Sequence, residues 1–67
     1  MIPLTINGDP YTLKEPMSIA AFLAARGLAS RMVVVERNRE IVPRDRYEGT
    51  VLEAGDTLEI VQMMAGG

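Results

Sequence analysis

"TLEIVQMM" (57–64) is the stretch whose reading decides the fold. Its alternation sets Leu58 and Ile60 on one face and Glu59, Val61 and Met63 on the other, the period of a strand with one side turned to a core. Turn chemistry precedes it, because "EAGD" (53–56) offers Gly55 for a positive φ. A Leu- and Ile-bearing strand this late in a short chain is a natural central member of a sheet. The rest of the sequence supplies its neighbours.

At the other end of the chain, "IPLTI" (2–6) alternates Ile2, Leu4 and Ile6 with Pro3 and Thr5, again a strand period. Asn7-Gly8 is a hairpin turn, since both positions tolerate positive φ, and "YTLKE" (11–15) returns. Pro3 and Pro10 lack the N–H a ladder needs, so the hairpin ends are expected at sheet edges. Ser18 then caps a helix, with Met17 and Phe22 at hydrophobic-staple spacing. Ile19, Phe22, Leu23 and Arg26 trace one side of it, and the alanines keep propensity high. Gly27 ends the helix in the left-handed conformation, with Leu28 folding back on the last turn. A helix of about two and a half turns is unstable alone in water, so it must lie against the sheet.

"MVVVE" (32–36) is β-branched and nearly continuous, which predicts a strand buried on much of both faces. "RNRE" (37–40) turns the chain, "IV" (41–42) resumes briefly, and Pro43 stops it. "RDRYEGT" (44–50) reads as irregular with one tight helical turn, and Leu52 as an isolated apolar anchor. The order is strand, strand, helix, strand, short strand, strand. It predicts an α+β fold: a mixed sheet of four to five strands with one helix packed across one face. Residues 57–63 should run between the first and third strands, parallel to the first, which is the β-grasp arrangement. One domain is expected over 1–67, with a flexible C-terminal tail at 64–67.

Composition narrows the function. The 67 residues are 48% hydrophobic, without Cys or His. No disulfide or common zinc site is therefore available, and the apolar core must carry the fold. Absence of Cys fits a reducing compartment. The N-terminus has no secretory pattern, and no run approaches the ~20 apolar residues that span a bilayer, so a cytoplasmic protein is expected. A net charge of −2 with interspersed signs argues against nucleic acid. Arg26, Arg31, Arg37, Arg39, Arg44 and Arg46 cluster in the middle of the chain, either as a solvated rim with salt bridges or as a docking patch for an acidic partner.

The same composition leaves little catalytic chemistry. Without His or Cys, the usual general base and the most reactive nucleophile are missing. Ser18 is a cap, Ser30 has no activating partner, and a core this small can hardly shape a cleft around Glu36 and Glu40. "NGD" and "AGD" are turns, not phosphate loops. The chain reads as a non-enzyme that binds no metal or cofactor of its own. What stands out is "VQMMAGG" (61–67), ending on Gly66, Gly67 and a carboxylate. At a Gly usage of roughly 7%, two terminal glycines arise by chance in about 0.5% of chains. A carboxylate with a pKa near ~3.5 is ionised at neutral pH and a poor electrophile, so acyl transfer from it needs activation, most simply as an acyl-adenylate. Two glycines let a narrow channel close around such a tail. Val61, Met63, Met64 and Ala65 are the candidates to dock the body on the activating partner, with sheet packing as their structural alternative.

"VVVERNREIVPR" (33–44) and "LEAGDTLEIVQMMAGG" (52–67), with Asn7-Gly8 after the first strand, resemble the ThiS family of ubiquitin-like β-grasp sulfur carriers of thiamine biosynthesis, over the whole chain. The resemblance implies that Gly67 is adenylated by an E1-like, ThiF-like enzyme using ATP and is then converted to a thiocarboxylate, with Gly66 as its required neighbour. A sulfur donor such as a cysteine desulfurase would supply the sulfur, and a ThiG-like thiazole synthase would receive it. Arg39 departs from the pattern, standing where the family commonly has Gly. The small subunit of molybdopterin synthase and a ubiquitin-like protein modifier share this chemistry. An interaction domain with an inert Gly-Gly end is the reading from a different class.

Overall fold

The computed structural model of the chain describes residues 1–63. Strands β1 (Ile2–Ile6) and β2 (Asp9–Leu13) form the expected antiparallel hairpin. Its turn holds Asn7 at φ 51° and Gly8 at φ 85°, the left-handed pair that matches the twist of the flanking strands. Helix α1 (Ile19–Ala25) follows, then β3 (Val33–Arg37), β4 (Glu40–Ile41) and β5 (Thr57–Gln62), with short 3-10 turns at Ser30–Met32 and Arg44–Arg46. The five strands make one sheet in the order β2-β1-β5-β3-β4. The last strand is central, parallel to β1 and antiparallel to β3. With α1 across one face, this is the β-grasp.

Only one of the two hairpin prolines lies at a sheet edge. Pro10 is on the outer strand β2, but Pro3 is on β1, which pairs on both sides. Thr5 and Asn7 donate their N–H groups toward β5, to the carbonyls of Asp56 (3.0 Å) and Leu58 (2.8 Å). By alternation Pro3 faces the same side, just before β5 begins. There its carbonyl accepts from the Gly55 N–H at 2.8 Å, so the position needs an acceptor and no donor.

Sequence-local caps define the helix. The Ser18 hydroxyl accepts from the Ala21 N–H at 3.0 Å. At the other end Gly27 (φ 73°) donates to Ala24 and Leu28 donates to Leu23, the paired bonds of a Schellman ending. The buried side of α1 is Ile19, Phe22 and Leu23, set against Leu4, Leu13, Val33, Val35 and Leu58 of the sheet. Val34 corrects the expectation that β3 is buried on both faces: Val33 and Val35 are buried, while Val34 is 37% exposed. The physical reason is that α1 covers only one face. Tyr47, in the irregular segment, is also buried in this core.

The turn between β3 and β4 keeps a glycine-type backbone without glycine. Asn38 and Arg39 have φ values of 52° and 72°. Asn38 gains from this geometry, because its side-chain oxygen accepts from the Thr57 N–H at 3.0 Å while its own N–H donates to the Thr57 carbonyl at 2.8 Å. For Arg39 the left-handed conformation is strain of about 1 kcal/mol. Arg39→Gly is therefore expected to raise stability by about 1 kcal/mol, measured as a higher urea midpoint at unchanged slope.

Asp56 ties this turn to the start of β5. Its carboxylate accepts from Arg37 Nε at 2.8 Å, the Glu53 N–H at 2.9 Å and Asn38 Nδ2 at 3.1 Å, and it is buried. Burial pushes the carboxyl up, but the hydrogen bonds from Arg37, Glu53 and Asn38 and the charge of Arg37 outweigh it, holding the group below its ordinary value of 3.8. A depressed folded value means stability present above that ordinary pH and lost as pH falls through the lower folded value. Asp56→Asn is expected to cost about 2–3 kcal/mol at neutral pH, the range for hydrogen bonds to a charged group. Urea unfolding across pH should show the gap from wild type narrowing below about pH 4.

Candidate functional site

The central strand is gripped unequally along its length, and this defines where the chain leaves the sheet. On the β3 side the ladder runs from Arg37↔Leu58 to Val33↔Gln62, and the Met63 N–H donates to the Met32 carbonyl at 2.7 Å. On the β1 side the paired residues are Thr5↔Thr57 and Ile6↔Leu58. One further contact is made by a side chain: Asn7 Oδ1 accepts from the Ile60 N–H at 2.7 Å, and Asn7 Nδ2 donates to the Ile60 carbonyl at 3.3 Å. The Asn7 amide thus continues β1 by one backbone-like pairing beyond the bond that its own N–H makes to Leu58. Beyond Ile60, β5 is held, among the described residues, on the β3 side alone. Asn7 reads from sequence only as a turn residue; its grip on a strand 53 positions away has no local signature.

The face of the sheet away from α1 is open. Val61 (61% exposed) lies directly opposite Val34, and Ile41 (67% exposed) lies opposite Glu36 on β4. Met63, 40% exposed, follows Val61 by the alternation of the strand. Two of the sequence-derived interface residues, Val61 and Met63, are thereby set at the open face near the exit of β5. Met64, Ala65, Gly66 and Gly67 lie outside the described residues. On the helix side of the same strand end, a hollow of about 230 Å³ is lined by Ile6, Asn7, Arg26, Leu28, Ile60 and Gln62. Arg26 is committed elsewhere, its guanidinium 5.4 Å from the Phe22 ring centre and 5.7 Å from that of Tyr11. The middle-chain arginines are partly absorbed into structure: Arg37 pairs with Asp56 and Glu53, and Arg44 donates to the carbonyls of Ser30 and Arg31.

Among the described residues no group of His, Cys, Asp or Glu is placed to hold a metal ion, and no helix is long and apolar enough to cross a membrane. The arrangement can present a strand end and an apolar face to another protein.

Known proteins share both the sequence and the architecture. The crystal structure of the thiamine biosynthesis protein ThiS from Geobacter metallireducens superposes with a TM-score of 0.82 at 33% identity, covering 98% of this chain and 100% of that one. The sulfur carrier protein ThiS of Bacillus subtilis is 38% identical over 65 residues, 96% of this chain and 98% of its own length. A thiazole synthase from Paramagnetospirillum magneticum is 44% identical over 64 residues, and one from Magnetococcus marinus is 34% identical over 62. The chain spans only 20% and 19% of the length of these two enzymes. The ThiS family model matches residues 4–67, from β1 through the Gly-Gly end. With the sheet order, the central last strand and near full-length relatives in agreement, this chain belongs to the ThiS family, the sulfur carriers of thiamine biosynthesis.

Proposed function

We propose that this protein carries sulfur as a thiocarboxylate on Gly67 for construction of the thiazole ring of thiamine. The observation that carries the reading is the exit of β5, which leaves the β1 side at Ile60 and leads directly to "MAGG" (64–67). In the first step the Gly67 carboxylate attacks the α-phosphate of ATP on an E1-like adenylating enzyme and pyrophosphate leaves. A sulfur nucleophile from a donor such as a cysteine desulfurase then displaces AMP. If that nucleophile is a persulfide, the resulting acyl disulfide needs two electrons from a thiol to release the thiocarboxylate. Gly66 provides the clearance for this tail in the enzyme's channel. Val61 and Met63, with Met64 and Ala65, form the apolar contact that seats the body.

In this reading ATP is bound by the adenylating partner rather than by this chain. Thiazole synthase is the acceptor in this reading, favoured over molybdopterin synthase by the two thiazole synthases matched across a fifth of their length. A carrier and acceptor in one polypeptide would meet at high effective concentration. The site of action is the cytoplasm. The test is intact-mass analysis after incubation with the adenylating enzyme, ATP and a sulfur source. The expected gain is the mass difference between one sulfur and one oxygen atom.

A further inference from the structure

The open face carries an arrangement that the fold does not need. In the register of β3 with β5, Glu36 stands directly opposite Glu59, between the Val34–Val61 pair and Ile41. Like charges placed directly opposite on one face destabilise a sheet. Among the described residues, the two ion pairs both belong to Arg37, which bonds Glu53 and Asp56, so neither Glu36 nor Glu59 has a cation partner there. Both carboxylates also sit at the middle of the sheet, flanked by exposed apolar side chains, where docking would dry them. Uncompensated charge in a drying interface is costly, so the pair selects what can cover the face.

A second copy of this chain is a poor occupant. Face-to-face pairing would bring two such carboxylate pairs together between apolar surfaces. A partner with a cation at the centre of an apolar patch fits on both counts, since it covers Val34, Ile41, Val61 and Met63 and relieves the repulsion. We propose that the open sheet face docks an apolar partner surface that sets an arginine or lysine side chain between Glu36 and Glu59. The proposal rests on the carrier reading and names the chemistry of the surface that the activating enzyme presents.

The test uses the full chain and the purified adenylating enzyme. Affinity is measured by calorimetry from low to high salt for wild type, Glu36→Gln/Glu59→Gln and Glu59→Lys. The double variant is expected to bind at least about tenfold more weakly with a shallower salt dependence, and Glu59→Lys more weakly still. Because repulsion is removed, the double variant should melt no lower than wild type, which separates lost binding from lost folding. Unchanged affinity and salt dependence in the double variant, or tighter binding by Glu59→Lys, would overturn the inference. Its failure is distinct from failure of the carrier reading, which would appear as wild-type protein that gains no sulfur under the same enzyme and ATP.

Discussion

Phe22→Ala is expected to lower stability by about 3–5 kcal/mol, the range for removing a buried aromatic side chain. Phe22 is 2% exposed and is the largest of the fully buried side chains. Its ring meets Tyr11 edge-on at 5.5 Å between centres, and the Arg26 guanidinium lies 5.4 Å from it. Truncation therefore removes the aromatic contact of α1 with Tyr11 of β2 and leaves a cavity that a short helix cannot close without shifting. A domain of this size rarely holds more than about 3–5 kcal/mol in its core, so the variant should lie near its midpoint at room temperature. Circular dichroism melts are the measurement. A drop of at least about 12 °C is expected, and Phe22→Leu should lose less because it keeps most of the volume. An alanine variant melting within a few degrees of wild type would remove Phe22 from the centre of the core.

Much of this core is legible in the sequence because its signals are local. Asn7-Gly8, the Ser18 cap and the Gly27–Leu28 ending each specify a turn or terminus within a few residues, and each is found where its chemistry places it. The alternation of Leu58 and Ile60 likewise reports a strand with a core side. What escapes the sequence is long-range. Tyr47 is buried from a segment with no periodicity, held in part by its carbonyl accepting from the Ala20 N–H at 2.9 Å. Asp56 reads as one acid in a turn, yet it gathers donors from Arg37 and Asn38. The valines of β3 are equally apolar along the chain, and only the presence of a helix on one side distinguishes Val34 from its neighbours. Within the candidate site, Val61 and Met63 follow from strand parity, whereas the Glu36–Glu59 juxtaposition requires the register.

Deleting Gly67 is expected to abolish sulfur loading while leaving the melting temperature unchanged. The two effects separate because the described core ends before the tail: its last members are Leu58 and the partly buried Ile60. Terminal residues beyond such a core contribute little to folding. Loading, by contrast, has no substitute group. The sequence contains no Cys or His to accept sulfur or an acyl group, and Asp56, the buried carboxylate, is occupied by three donors. Shortening the chain by one residue also draws the reacting carboxylate back along the channel by up to ~3.5 Å, more than adenylation of a fixed nucleotide tolerates. Gly66→Ala should show a partial defect, since a Cβ restricts the backbone and narrows clearance without moving the carboxylate. Intact mass and tandem mass spectrometry of the C-terminal peptide, after incubation with adenylating enzyme, ATP and sulfur source, provide the readout. Wild type should carry the added mass on Gly67, the deletion variant none, and Gly66→Ala a reduced fraction at equal enzyme. Sulfur retained by the deletion variant, or mapped to any residue other than Gly67, would remove the tail from the chemistry and with it the proposed thiocarboxylate.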